Sequence, residues 1–247
     1  MTGKKLKFSF IIPTLNEEKL LPGILKQICN EELKSKYDYE VIVSDGGSND
    51  NTVEIALQFA DKVTVHDSEN LQNIAEGRNR GAKLAAGENL IFINADVLLQ
   101  NVDSFFNYIN IHFINSEFLA MTTFVKIFPA EEVFIDKFFH FFFNHYFYIL
   151  NFVGIGMGRG ECQVIRASVF QKLNGYREDI AAGEDFNMFV RIRKLGTVLY
   201  AKDIFVFESP RRFRKLGYLT ITGTWIKNGF SVLIRNKAIS KIWEQVR

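Results

Sequence analysis

Apolar positions along the first 97 residues switch four times between the two-residue period of a strand and the 3.6-residue period of a helix. Lys7 to Ile12 alternates and then turns wholly apolar, which predicts a first strand. Pro13-Thr14-Leu15-Asn16-Glu17 interrupts it. Thr14 with Glu17 three residues on has the capping-box pattern of a helix start. Leu20, Leu21, Ile24, Leu25 and Ile28 then follow at helical spacing. Tyr39 to Ser44 reads as strand two, and Asp45-Gly46-Gly47-Ser48 as a tight turn. Asp50 or Asn51 caps a helix that buries Val53, Ile55, Ala56 and Phe59. Lys62 to Val65 is a short third strand, and residues 73–86 form a helix carrying Arg78, Arg80 and Lys83 that Gly87 closes. The run Leu90 to Ile93 is the fourth strand, and it ends in Asn94-Ala95-Asp96.

Such alternation predicts a mainly parallel sheet with helices on both faces. Ligands of open α/β sheets bind past the carboxyl ends of the strands. The turns after strands one, two and four all carry acids or amides, so they converge on one sheet edge. Asp96 stands there as the candidate for chemistry.

After Asp96 the pattern loosens. Val102, Phe105, Phe106, Ile109 and Phe113 mark a helix, and Leu119 to Lys126 a strand. Glu131 to Phe152 is very aromatic. A helix apolar all round is buried, or faces lipid or a partner. Glu161 to Ile165 is strand-like, and Ala167 to Leu173 a short helix. Gly183-Glu184-Asp185 opens another helix with Met188, Phe189, Ile192 and Leu195 inside. Thr197 to Tyr200 and Phe205 to Phe207 read as two short strands, and Arg211-Arg212-Phe213-Arg214-Lys215 leads into a last amphipathic region.

The net charge of +2 indicates no particular partner, nucleic acid included. Its distribution says more. From Ser209 to Arg247 there are nine Lys or Arg and a single acid, Glu244, a segment suited to phosphates or an anionic membrane surface. Cys29 and Cys162 lie far apart without metal-ligand spacing, which suits a reducing compartment. No signal peptide is visible at the basic amino terminus. Phe138 to Gly158 lacks Asp, Glu, Lys and Arg but contains His140, Asn144, His145 and Asn151. It is a poor transmembrane helix and a better interfacial or buried one. The expectation is a cytoplasmic protein, peripheral at the inner face of a membrane, with a homodimer as the other cover for the aromatic helix.

Five segments resemble family 2 glycosyltransferases, in that family's order. They are the opening strand and loop Phe10–Glu17, the second loop Val41–Thr52, the Arg-Asn helix at Gly77-Arg78-Asn79-Arg80-Gly81-Ala82, Asn94-Ala95-Asp96 at the Asp-any-Asp position, and Glu184-Asp185 at the Glu-Asp acceptor motif. The resemblance implies the GT-A (Rossmann-like) fold, here with an aromatic helical insertion and a basic carboxy-terminal helical extension. It places the glycosyltransferase domain at 1–215, with a nucleotide-binding half at 1–97 and an acceptor half at 98–215, and the extension at 216–247. It implies an inverting hexosyltransferase-type enzyme, a UDP- or GDP-type sugar donor, and Mn2+ or Mg2+; the basic run at Arg211–Arg214 and the aromatic helix add the expectation of an acceptor on a lipid-linked or membrane-surface glycan.

The implied donor-binding residues are Pro13, Thr14, Leu15, Asn16, Glu17, Asp45, Gly46, Asp50, Arg78, Asn79, Asn94, Ala95 and Asp96. Asp45 would accept a base N–H, Arg78 would reach the diphosphate, and Asp96 would ligate the metal, a hard ion bridged by phosphate oxygens. Asp185 would be the general base and Glu184 its orienting neighbour. Arg211, Arg212 and Arg214 would meet the diphosphate or the acceptor. Asn94 departs from the pattern, since it adds no charge where the family carries its first Asp. No His stands after Phe205 to complete a metal shell, and Glu208 is the substitute. Asn94 also leaves open a catalytically inactive sugar-nucleotide or glycan-binding module. A nucleotidyltransferase is disfavoured, because the loop after strand one has neither Gly nor a basic residue.

Overall fold

The computed structural model describes residues 6–67, 72–180 and 182–235. One eight-stranded mixed sheet runs through it. Its strands are β1 (Phe8–Thr14), β2 (Tyr39–Asp45), β3 (Lys62–Val65), β4 (Asn89–Ile93), β5 (Val97–Leu99), β6 (Ala120–Ile127), β7 (Cys162–Arg166) and β8 (Val198–Glu208). Their order across the sheet is β3-β2-β1-β4-β7-β6-β8-β5. The first four are parallel, β7 is antiparallel to β4 and β6, β8 runs parallel to β6, and β5 returns antiparallel on β8.

Both faces are covered, as the unbroken apolar strands require. Phe8, Phe10 and Ile12 of β1 point to one core with α1 (Leu21–Ile28) and α5 (Val102–Ile109). Ile11 points to the other, with Phe92, Phe170 and Phe189 from β4, α7 (Ala167–Lys172) and α8 (Glu184–Arg193). Two more helices lie between α1 and β3, α2 (Glu31–Tyr37) and α3 (Thr52–Phe59), and α4 (Ile74–Lys83) precedes β4. Each fully buried Leu or Ile of α1 contributes about 1.5–3 kcal/mol. A third cluster joins α6 (Phe134–Phe152), α9 (Arg211–Leu216) and α10 (Tyr218–Arg235) over β6 and β8.

Several expectations shift in detail. Thr14 and Glu17 do not cap α1. That helix begins at Leu21 with no side-chain cap and with Pro22 in its first turn, where a missing N–H costs nothing. The Thr14 hydroxyl is used instead on Asp45, and the Glu17 carboxylate on Arg211. Asn51 occupies the cap position of α3 without a side-chain capping bond, its Nδ2 donating to Glu18 Oε2 instead, and Asp50 accepts the Thr52 N–H at 3.0 Å. Residues 198–200 and 205–207 belong to one strand, β8, which shifts register against β6 between Thr123 and Phe124. Helix α2, which Asn30 caps, and the three-residue β5 are additional. Of the expected extension at 216–247, α10 is described to Arg235, and 236–247 lie outside the described residues.

Candidate active site

The sheet direction brings six segments to one edge. The parallel strands β1, β2 and β4 deliver residues 13–17, 46 and 94–96. Strand β7 enters antiparallel with Cys162 opposite Ile93, so Arg159, Gly160 and Glu161 lie beside Asn94. Strand β8 leaves at the same edge, pairing Glu208 with Val97, and Arg211 and Arg212 follow. The start of α8 supplies Glu184 and Asp185. Together they line a cleft of about 580 Å³ whose far wall holds Phe147, Met157, Phe213 and Trp225.

Arg78 reaches this edge because α4 sits tightly on β1. A Cβ at Gly81 would lie 2.6 Å from Ile11 Cγ2, so only glycine permits the approach. Arg78 is buried and donates to Glu184 Oε1 at 2.7 Å, Gly160 O at 2.9 Å and Asn94 Oδ1 at 3.2 Å. It therefore ties the strand-four tip to the Glu-Asp pair from beneath. Burial pushes the neighbouring Asp185 carboxyl up to about 7, the Glu184 carboxylate adds to the push, and Arg78 opposes it. A base near neutral pH balances availability against proton affinity.

Of the other residues singled out from sequence, Pro13, Thr14, Leu15, Glu17, Gly46, Asn94, Ala95, Asp96, Arg211 and Arg212 line the cleft. Arg211 bridges the first and fourth loops, donating to Glu17 Oε1 at 2.5 Å and Asp96 Oδ2 at 3.1 Å. Five residues stand elsewhere. The Asp45 carboxylate is buried and accepts from Thr14, Gly47 and Ser48, so it shapes its own turn and is not presented to the cleft. Asn16, at φ 51°, joins the first loop to Ser48 and Asn49. Asp50 is held by Thr52 and by the Glu18 N–H. Asn79 clamps Tyr176 and Glu178. Arg214 pairs with Asp136 at the start of α6.

Glu208, named from sequence as a substitute metal ligand, belongs to a buried ionic group on the cleft floor with Arg159 and Glu161, which the sequence did not single out. Arg159 donates to Glu161 Oε1 at 2.8 Å and Glu208 Oε1 at 3.2 Å. Burial raises the Glu208 carboxyl well above the usual range, and Glu161 reinforces the rise. Burial works against ionised Glu161 too, but the Arg159 guanidinium holds that carboxyl below its usual range. One guanidinium thus faces two carboxyls whose proton affinities are pushed in opposite directions. His140 of α6 lies 3.7 Å from Glu208, and its ring nitrogens have no hydrogen-bond partner among the described residues. Burial pushes its pKa down to about 3, with Arg159 adding to the effect, so the ring is neutral. The only forward signal was position: Arg159 and Glu161 end the long charge-free stretch just before a strand.

Residues 9–103 match the model of Glycosyl transferase family 2. The match spans β1 to β5 and the start of α5, the segment that carries the first four of the five resembling motifs. A PGL/p-HBAD biosynthesis glycosyltransferase of Mycobacterium tuberculosis is 38% identical over 101 residues. That alignment covers 39% of this chain and only 38% of the relative. Among solved structures, a mannosyltransferase from Pyrobaculum calidifontis in complex with GDP-Man and Mn2+ has a TM-score of 0.70 at 17% identity, covering 99% of this chain and 67% of that one. A glucosyl-3-phosphoglycerate synthase from Mycobacterium tuberculosis, in complex with Mn2+, UDP and glucosyl-3-phosphoglycerate, has a TM-score of 0.62 at 15% identity, covering 93% and 79%. At such identities the likeness is one of fold. The architecture is that of GT-A glycosyltransferases: a mixed eight-stranded sheet flanked by helices.

Proposed function

We propose that this chain transfers a sugar from a UDP- or GDP-type donor to an acceptor hydroxyl, with inversion at the anomeric carbon. The observation that carries this is Asp185, whose carboxyl, raised to about 7, lines the same cleft as the donor loops. The acceptor oxygen attacks the anomeric carbon as its proton passes to the Asp185 carboxylate. The bond from that carbon to the diphosphate oxygen breaks, and the nucleoside diphosphate leaves with the electron pair. Glu184 and Arg78 position the base, and Arg211 and Arg212 meet the diphosphate. Phe147, Phe213 and Trp225 suit the apolar carrier of a lipid-linked acceptor.

Among the described residues no three His, Cys, Asp or Glu side chains are grouped to hold a metal ion. Asp96 offers one half-buried carboxylate, now met by Arg211. That donor set fits Mn2+ or Mg2+ only as an ion that brings phosphate and water ligands with it. Asp96 would hold it, and the ion would neutralise charge on the departing diphosphate.

The reading predicts a pH profile. Asp185 works as a base only when ionised, so kcat/KM should rise about tenfold per pH unit below about 7 and level off above it. Release of nucleoside diphosphate from a UDP- or GDP-sugar, followed across this range with acceptor, measures it. A rate independent of pH from 5 to 8 would remove Asp185 from the reaction.

A further inference from the structure

Helix α6 has two unlike faces. Phe139, Phe143 and Phe147 turn inward, against Phe213 and Trp225. The outward face is also aromatic: Phe134 is 82%, Phe138 62% and Phe141 65% exposed, and Phe142, Tyr146 and Phe152 continue the stripe to the end of the helix. Leaving so contiguous an apolar strip in water is costly, and monomers rarely do it without a use.

The face is rigidly presented. Arg214 donates to Asp136 Oδ1 at 2.9 Å, and Tyr218 also bonds Asp136, fastening α9 and α10 to the first turn of α6. Helix α10 packs along α6 through Tyr218, Ile221 and Trp225, and it exposes Leu219 and Ile226. Charge separates the candidate occupants. Lys215 and Lys227, beside this apolar surface in α9 and α10, are exposed. Of the basic stretch they belong to, Arg211 and Arg212 line the cleft and Arg214 pairs with Asp136, so these two lysines are the cations it presents beside the apolar face among the described residues. A second copy would bring the same cations against these, whereas an anionic headgroup layer would neutralise them. No described helix is long and apolar enough to cross a membrane. An aromatic face with a basic flank is the pattern of a helix lying in the interface plane.

We propose that the outer face of α6, with the exposed side of α10, docks on an anionic phospholipid surface. The inner faces of the same two helices wall the cleft through Phe147 and Trp225, so docking would set the cleft's apolar wall beside the bilayer. The docking itself stands on the exposed side chains. Its use, presenting a lipid-borne acceptor to Asp185, rests on the glycosyl-transfer reading.

Co-sedimentation of the full chain with vesicles, without nucleotide, tests the docking separately from the chemistry. Vesicles of phosphatidylglycerol and phosphatidylcholine should retain the protein, phosphatidylcholine alone should retain much less, and raised salt should weaken retention. The double substitution F138E/F142E should lower retention by about tenfold or more at an unchanged melting temperature, because both side chains face solvent. F138L/F142L should retain binding. Failure of the folded protein to sediment with either vesicle, or equal retention on both, would overturn the proposal. A dimer in light scattering that F138E/F142E dissociates, with no vesicle binding, would assign the face to a second copy instead. Vesicle binding by a protein that transfers no sugar would leave the docking intact and count only against the acceptor reading.

Discussion

Asp185→Asn is expected to lower sugar transfer by about 10²–10⁴-fold and to leave nucleoside-diphosphate affinity unchanged. Asn keeps the shape and can still accept the Phe186 N–H that Asp185 Oδ1 receives at 2.7 Å. What it loses is the capacity to take a proton from the acceptor. The change should also leave the melting temperature equal or higher. Burial and Glu184 both disfavour charge at this position, so a neutral amide relieves a native-state cost. The sign follows from the raised carboxyl. The fold prefers it protonated, so its contribution favours the fold at low pH and is lost as pH rises through about 7. Steady-state kinetics and calorimetric titration with the diphosphate measure the two halves. Unchanged turnover would dismiss Asp185 as the base, and lost nucleotide affinity would make it a donor ligand.

Arg78→Met should have the largest effect on stability. Arg78 is buried and its partner Glu184 nearly so, and breaking a buried pair from one side costs about 3–5 kcal/mol. For a chain of this length that lowers the melting temperature on the order of 10 °C. The substitution has a second readout that a merely structural residue would not move. Arg78 opposes the upward shift of Asp185, so its loss should displace the rising limb of the kcat/KM profile to higher pH in whatever protein remains folded. Arg78→Lys keeps the charge and should recover much of that displacement. A stable Arg78→Met protein with an unmoved profile would refute the positioning role. The resemblance had assigned Arg78 to the diphosphate. In the structure it lines the cleft while donating to Glu184, Gly160 and Asn94.

What could be read from the chain follows from locality. The strand-loop-helix units up to Asp96 are contiguous, so period, breakers and acid-bearing turns sufficed to place Pro13, Gly46 and Asp96 on one edge. Which side chain of a loop faces the ligand is not local. Asp45 reads as a ligand residue, but its register partner Thr14 and its own turn consume both oxygens. Thr14 and Glu17 read as a cap because the sequence cannot show that Asp45 and Arg211, 31 and 194 residues away, take their oxygens. Glu208 was singled out by position, but its grouping with Arg159 and Glu161 was illegible for the same reason. It forms only once β7 turns antiparallel to β4 and β8 closes the far side. The aromatic helix was legible as a helix, but its division into a cleft wall and a solvent face depends on where α10 packs.

Under the glycosyl-transfer reading, the cleft binds a nucleoside-diphosphate sugar through Asp96 and a divalent ion. Melting temperature in the presence of UDP, GDP and their sugars, each with Mn2+ or with EDTA, tests it most directly. Ligand at about 100 times its dissociation constant stabilises by about 2.7 kcal/mol, a rise of roughly 5–10 °C for a domain of this size. Such a rise is expected with one of the two nucleotides, lost in EDTA and lost in Asp96→Ala. No rise with any nucleotide in folded protein would contradict it, and a rise indifferent to EDTA and to Asp96→Ala would contradict the role of the ion.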